Sequence, residues 1–235
     1  MKDQRPAKDK IIIPLDVSNR HTADHLIEQL IGHATWFKVG LQLFCSSGPG
    51  VARDIKSIGA KLFLDLKLHD IPNTVGAAVT EAEKLGVSML TVHASGSTKM
   101  LRAAVDAARV RPDLMVLAVT VLTSMDGHDL ETIGVRGSME DSVVRYATLA
   151  LQNGCQGIVT SAREASVVRA KLGTEFAIVT PGVRPAGSAV ADQVRVVTPA
   201  EAIAAGASHI VVGRPITEAA DPAAEARAIL GQISG

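Results

Sequence analysis

Aromatic residues are scarce: one Trp, one Tyr and four Phe make up 3% of the 235 residues. Proteins that hold single-stranded nucleic acid stack bases on exposed rings, so rings this few and this scattered argue against such a partner. An excess of either charge is also missing. Lys plus Arg and Asp plus Glu each total 24, which leaves no net field to draw in a polyanion or an anionic membrane. Cysteine is confined to Cys45 and Cys155, with no Cys-x-x-Cys and no Cys/His spacing suited to zinc. That usage fits a reducing cytoplasm. The longest apolar run, Leu114 to Leu122, is broken by Thr120 and is about half the roughly 20 residues that a spanning helix needs. Met1 to Lys10 is polar and mixed in charge, without the apolar stretch of a secretory signal. These absences predict a soluble, cytoplasmic protein with neither nucleic acid nor membrane as a partner.

What is present is a repeated alternation. Hydrophobic residues form 47% of the chain, enough for one buried core, and no stretch reads as a linker, so a single domain over 1–235 is expected. Short β-branched and leucine-rich runs fall at Ile11 to Val17, Trp36 to Leu41, Lys61 to Lys67, Met89 to His93, Met115 to Val121, Gly157 to Ser161, Ala177 to Pro181 and His209 to Gly213. Stretches with helical spacing follow them near Thr22 to Ile31, Gly50 to Ile58, Thr74 to Leu85, Lys99 to Arg109, Ser142 to Gln152, Ala162 to Lys171, Pro199 to Ala204 and Ala223 to Gln232. Eight strand–helix units in a chain of this length predict an α/β fold, the (β/α)8 TIM barrel with parallel strands. The competing fold is an open doubly wound sheet, but no Gly-x-Gly-x-x-Gly turn follows the first strand to mark a dinucleotide site. Gly59, Gly86, Gly154, Gly173 and Gly206 fall at helix ends, where caps are expected.

In such a barrel, chemistry sits where strands end and helices begin. The segment Lys61 to Lys67 alternates, with Leu62, Leu64 and Leu66 on one face and Phe63, Asp65 and Lys67 on the other. The leucines are expected to meet the helices, which turns Asp65 and Lys67 toward the barrel mouth within reach of one small ligand. For a bare Asp-x-Lys the plainer explanation is a solvated ion pair closing the strand. Near the last two strand ends stand Gly182 with Arg184 and Gly213 with Arg214, pairs that allow close backbone approach and charge-assisted contacts to a phosphate. The small-residue stretch from Arg184 to Asp192 is expected to act as a lid over that phosphate. A second loop, Ser124 to Met139, is a candidate cover for the rest of the ligand. His93 is expected to be a hydrogen-bonded structural histidine, and Cys45 to be packed.

The decapeptide Asp65-Leu66-Lys67-Leu68-His69-Asp70-Ile71-Pro72-Asn73-Thr74 resembles the signature of the orotidine 5′-phosphate decarboxylase family. Further matches run in order along the chain: Pro14 to Asp16, Phe37 to Gly40, Thr91 to Ala94, Leu122 to Ser124, Pro181 to Pro185, Asp192 to Arg195 and Val212 to Ile216. Two departures, Ser97 in place of a common second glycine and Ala191 in place of a common acid, lie outside the charged cluster. The resemblance implies a reaction without metal or organic cofactor, in which orotidine 5′-monophosphate becomes UMP and carbon dioxide in the last step of UMP synthesis. It implies catalytic roles for Lys67, Asp65, Asp70 and Lys38, with Lys67 as proton donor to C6 of the pyrimidine. Substrate contacts carried over are Asp16 and Lys38 to the ribose, Asp65 beside the departing carboxylate, Ile71 and Thr74, Thr123 to the base, Gln193 to base and phosphate, and Arg184, Gly213 and Arg214 to the phosphate. It also implies a homodimer with shared sites, Asp70 and Thr74 coming from the other subunit. A magnesium-dependent phosphosugar decarboxylase or aldolase of the same barrel group is the nearest alternative, and a non-catalytic nucleotide sensor is the alternative of another class.

Overall fold

Eight short parallel strands close on themselves in chain order, each hydrogen-bonded to the next and the last to the first. The computed structural model describes residues 5–185 and 197–234. The strands are β1 (Ile11–Pro14), β2 (Trp36–Gly40), β3 (Lys61–Leu68), β4 (Met89–His93), β5 (Met115–Val119), β6 (Gly157–Val159), β7 (Ala177–Thr180) and β8 (His209–Val211). Helices α1 (Arg20–Leu30), α2 (Leu41–Ser47), α3 (Gly50–Ser57), α4 (Pro72–Lys84), α5 (Ser97–Ala108), α6 (Gly127–Thr132), α7 (Met139–Gln152), α8 (Ala162–Leu172), α9 (Pro199–Ala204), α10 (Arg214–Thr217) and α11 (Pro222–Ile233) form the connections and the C-terminal element. This is the expected TIM barrel, with all eight anticipated strands in place.

Side-chain alternation divides the core into two layers. Ile11, Ile13, Leu62, Leu64, Leu90 and Val92 point outward and pack under the helices. Ile12, Trp36, Phe63, Met89, Leu117, Val179 and Val211 point inward and fill the barrel. The inner set makes the barrel a packed solid below its mouth, and burying each large apolar side chain there contributes about 1.5–3 kcal/mol.

Local chemistry sets the helix boundaries. Asn19 caps α1 by accepting from the Thr22 N–H, so that helix begins at Arg20, earlier than its hydrophobic spacing suggests. Proline at the first position lets α4 begin at Pro72, where the missing N–H costs nothing. Three short helices were not anticipated: α2 directly after β2, α6 held by a reciprocal Asp126/Asp129 capping box, and α10 with Pro near its start. The five glycines at helix ends carry φ values of 77, 79, 90, 85 and 101°. At the turn between α5 and β5, one of those leading into the N-terminal strand ends, Val110 is 81% exposed.

Candidate active site

The C-terminal ends of the first three strands bring four charges into one row. Lys38 sits on β2 with its Nζ 2.9 Å from Asp16 Oδ1 and 3.5 Å from Asp65 Oδ2. Asp65 Oδ1 in turn lies 3.0 Å from Lys67 Nζ. The order Asp16, Lys38, Asp65, Lys67 thus alternates in sign. Its middle is withdrawn from water, Lys38 and Asp65 having side chains 10% and 13% exposed, whereas Lys67 is 31% exposed and free to meet a ligand. Lys38 and Asp65 each have opposite charges as neighbours, which offsets part of the cost of withdrawing them from solvent. The row also depends on Gly40, the β2 residue paired with Asp65. A Cβ there would lie 2.9 Å from Asp16 Oδ1 and 3.1 Å from Lys38 Nζ.

The third strand is irregular where it carries the chemistry. Its pairing with β4 runs Phe63 to Met89 and Leu64 to Leu90, then shifts so that Leu68 faces Val92. Within this shift Lys67 adopts φ of 52°, a left-handed conformation that costs a non-glycine residue about 1–2 kcal/mol. The Lys67 N–H donates to Thr91 Oγ1 at 2.9 Å, and that hydroxyl donates to Asp65 Oδ1 at 3.0 Å.

Lys38, Asp65 and Lys67 line a cavity of about 170 Å³ together with the apolar Phe63, Val119, Val159, Val179 and Val211 and the hydroxyl-bearing Thr123 and Thr160. Val121, Leu122, Thr123 and Pro181 are common to this cavity and to a second of about 600 Å³ that includes Ser124, Ser161, Glu164 and Gly182. Burial pushes the Glu164 carboxyl above the ordinary glutamate range. Gly182 has φ of 76°, open to glycine and strained for other residues. Arg184 is buried, and its N–H donates to the Val197 carbonyl beside a parallel Val183 to Val197 bridge. Gly213 precedes α10, and Arg214 opens it. A Cβ at Gly213 would meet Pro14 at 3.0 Å.

A family model described as Orotidine 5′-phosphate decarboxylase / HUMPS matches residues 9–229. The chain belongs to this family. It is 50% identical over 234 residues to the orotidine 5′-phosphate decarboxylase of Moorella thermoacetica, covering 97% of this chain and 93% of that one. The orotidine 5′-phosphate decarboxylase of Idiomarina loihiensis is 49% identical over 226 residues, covering 95% and 97%. The crystal structure of the Lactobacillus acidophilus orotidine 5′-phosphate decarboxylase superposes with a TM-score of 0.87 at 35% identity, covering 97% of this chain and all of that one.

Of the residues anticipated from the orotidine 5′-phosphate decarboxylase signature, Asp16, Lys38, Asp65 and Lys67 meet in the ion-pair row, and Thr123 lines both cavities. Asp70, Ile71 and Thr74 lie exposed at the start of α4. Asp70 accepts from the Ile71 N–H at 2.6 Å and makes no ion pair among the described residues. Gln193 and the Ala186 to Asp192 part of the expected lid lie outside the described residues. Two expectations need correction. His93 is not held by a hydrogen bond at Nδ1, which is buried without a partner among the described residues; its ring stacks on His69 at 5.4 Å. Cys45 is exposed because α2 turns it outward, whereas Cys155 is buried and its thiol is pushed up to about 12 by that burial. Sequence reasoning missed Thr91 and Gly40 as parts of the site, since a threonine and a glycine in strands carry no chemical signature of their own.

Proposed function

We propose that the chain converts orotidine 5′-monophosphate to UMP and carbon dioxide, with Lys67 as the proton donor and without a metal. The observation that carries this reading is the Asp16, Lys38, Asp65, Lys67 row, whose last three members line a cavity with Phe63, Val119, Val159, Val179 and Val211. The substrate's C6–carboxylate bond breaks, its electron pair stays on C6 as an sp² carbanion, and carbon dioxide leaves. An ammonium fixed beside C6 stabilises that charge as it appears, then supplies the proton that completes UMP. Lys67, left as an amine, regains a proton from solvent. Asp65 near the departing carboxylate adds repulsion in the ground state, about 4 kcal/mol for like charges 4 Å apart at an effective dielectric near 20. That is roughly a thousandfold in rate, so carbanion stabilisation carries the larger share.

Asp16 and Lys38 would hold ribose hydroxyls, Thr123 and Gln193 the base, and Gln193, Arg184, Gly213 and Arg214 the phosphate. Asp70, Ile71 and Thr74 are exposed on one chain, with Ile71 at 65%, which suits a homodimer in which they complete the partner's site. Such an enzyme of nucleotide synthesis would work in the cytoplasm. The test is turnover followed by the ultraviolet absorbance of orotidine 5′-monophosphate, after EDTA treatment and gel filtration. Undiminished decarboxylation is the expected result. Activity lost on metal removal would support the magnesium-dependent phosphosugar chemistry, and binding without turnover would support a sensor.

A further inference from the structure

We propose that Thr91 on β4 is a positioning residue for the reaction, its hydroxyl locking the left-handed Lys67 backbone and the Asp65 carboxylate into one unit; this rests on the decarboxylase function proposed above. Four atoms close a ring. The Lys67 N–H donates to Thr91 Oγ1 at 2.9 Å, Thr91 Oγ1 donates to Asp65 Oδ1 at 3.0 Å, and Lys67 Nζ donates to the same Asp65 Oδ1 at 3.0 Å. Thr91 is wholly buried, so water does not compete for its hydroxyl.

The need for this device follows from the strand pairing. Between the pairs Leu64 to Leu90 and Leu68 to Val92, β3 places Asp65, Leu66 and Lys67 where β4 has only Thr91. In a regular strand the N–H groups of odd-numbered β3 residues face β2, as the Lys61 N–H does toward the Thr35 carbonyl. β2 ends at Gly40, opposite Asp65, so the Lys67 N–H lies beyond the last β2 pair and within the bulge, and a part-buried N–H needs another partner. Thr91 shares the inward face of β4 with Met89 by alternation, which puts its hydroxyl beside the bulge. One hydroxyl carries one proton and accepts through its lone pairs. With the proton committed to Asp65 and a lone pair to the Lys67 N–H, neither group can turn without breaking a buried bond. Asp65 is held on its second oxygen by Lys38 at 3.5 Å. The ammonium is therefore aimed by its main chain as well as by its ion pair.

The test compares Thr91→Val, which keeps the shape and loses the hydroxyl, with Thr91→Ser, which keeps the hydroxyl and loses the methyl. Thr91→Val is expected to lower kcat about a hundredfold, the scale of an ångström-level misplacement. Its KM for orotidine 5′-monophosphate and its Kd for UMP should stay within about threefold, because Thr91 touches no ligand-binding group except through Asp65 and Lys67. Thr91→Ser is expected to retain kcat within about threefold. A Val variant with near-normal kcat, or a Ser variant as slow as the Val variant, would overturn the proposal. If Thr91→Val does not fold, amide hydrogen exchange on the wild-type protein decides: Lys67 N–H should be strongly protected, and rapid exchange there would refute the locked backbone. A wild-type protein that leaves orotidine 5′-monophosphate unchanged would defeat the assigned reaction instead, with the Lys67 amide still reporting on the Thr91 contact.

Discussion

Lys67 and His93 show how much a single side chain depends on what surrounds it. Replacing Lys67 with Ala removes both the cation and the proton, and should cut kcat by about a thousandfold or more while UMP still binds. Stopped-flow turnover and UMP titration of the variant check this. His93, stacked on His69 and near Lys67, is held below the usual histidine value of 6.5, first by burial and then by those two neighbours. The unfolded chain therefore binds more protons at this position than the folded one as pH drops below about 6.5, and stability must fall in that direction. Thermal midpoints measured from about pH 7.5 to pH 5 should decline more steeply for wild type than for His93→Gln. The two cysteines differ for the same kind of reason. Exposed Cys45 should react quickly with a thiol reagent at neutral pH, and buried Cys155, with its thiol pushed up to about 12, only after denaturation.

At the scale of elements, the bulged third strand and the tight end of the second position the charges. Gly40→Ala on β2 forces a methyl against Asp16 and Lys38, and is expected to destabilise the fold by about 1–3 kcal/mol while raising KM. Denaturant unfolding and steady-state kinetics on the same sample check both effects. The alternation of Lys61 to Lys67 was legible because period two alone separates Leu62, Leu64 and Leu66 from Phe63, Asp65 and Lys67. The left-handed φ of Lys67 was not, since lysine favours no such conformation and the bulge arises from pairing with β4. Helices α2, α6 and α10 escaped for a related reason: α6 rests on its Asp126/Asp129 capping box, and α2 and α10 follow closely on the ends of β2 and β8, where the apolar run of a strand masks the start of a short helix. The order of the eight strands and of the longer helices between them, by contrast, was readable, because each unit repeats one apolar pattern.

For the whole molecule, the exposure of Asp70, Ile71 and Thr74 on one chain bears on assembly. If two chains share each site, Lys67→Ala and Asp70→Ala proteins, each nearly inactive alone, should recover about a quarter of wild-type activity when mixed equally and allowed to exchange, since half the dimers then hold one intact site of two. Absence of recovery, with exchange verified by native mass spectrometry, would place Asp70 outside the partner's site. Ile71→Asp should weaken the dimer itself, seen as dissociation in analytical ultracentrifugation.

The closed barrel also separates jobs by pole. The Asp16, Lys38, Asp65, Lys67 row gathers where strands leave the barrel, while turns such as that bearing Val110, 81% exposed, lie at the pole where strands enter. A surface anchor, a fluorophore or an entire grafted domain introduced at Val110 would hang from the rear of the catalyst, leaving the nucleotide's route of entry unobstructed.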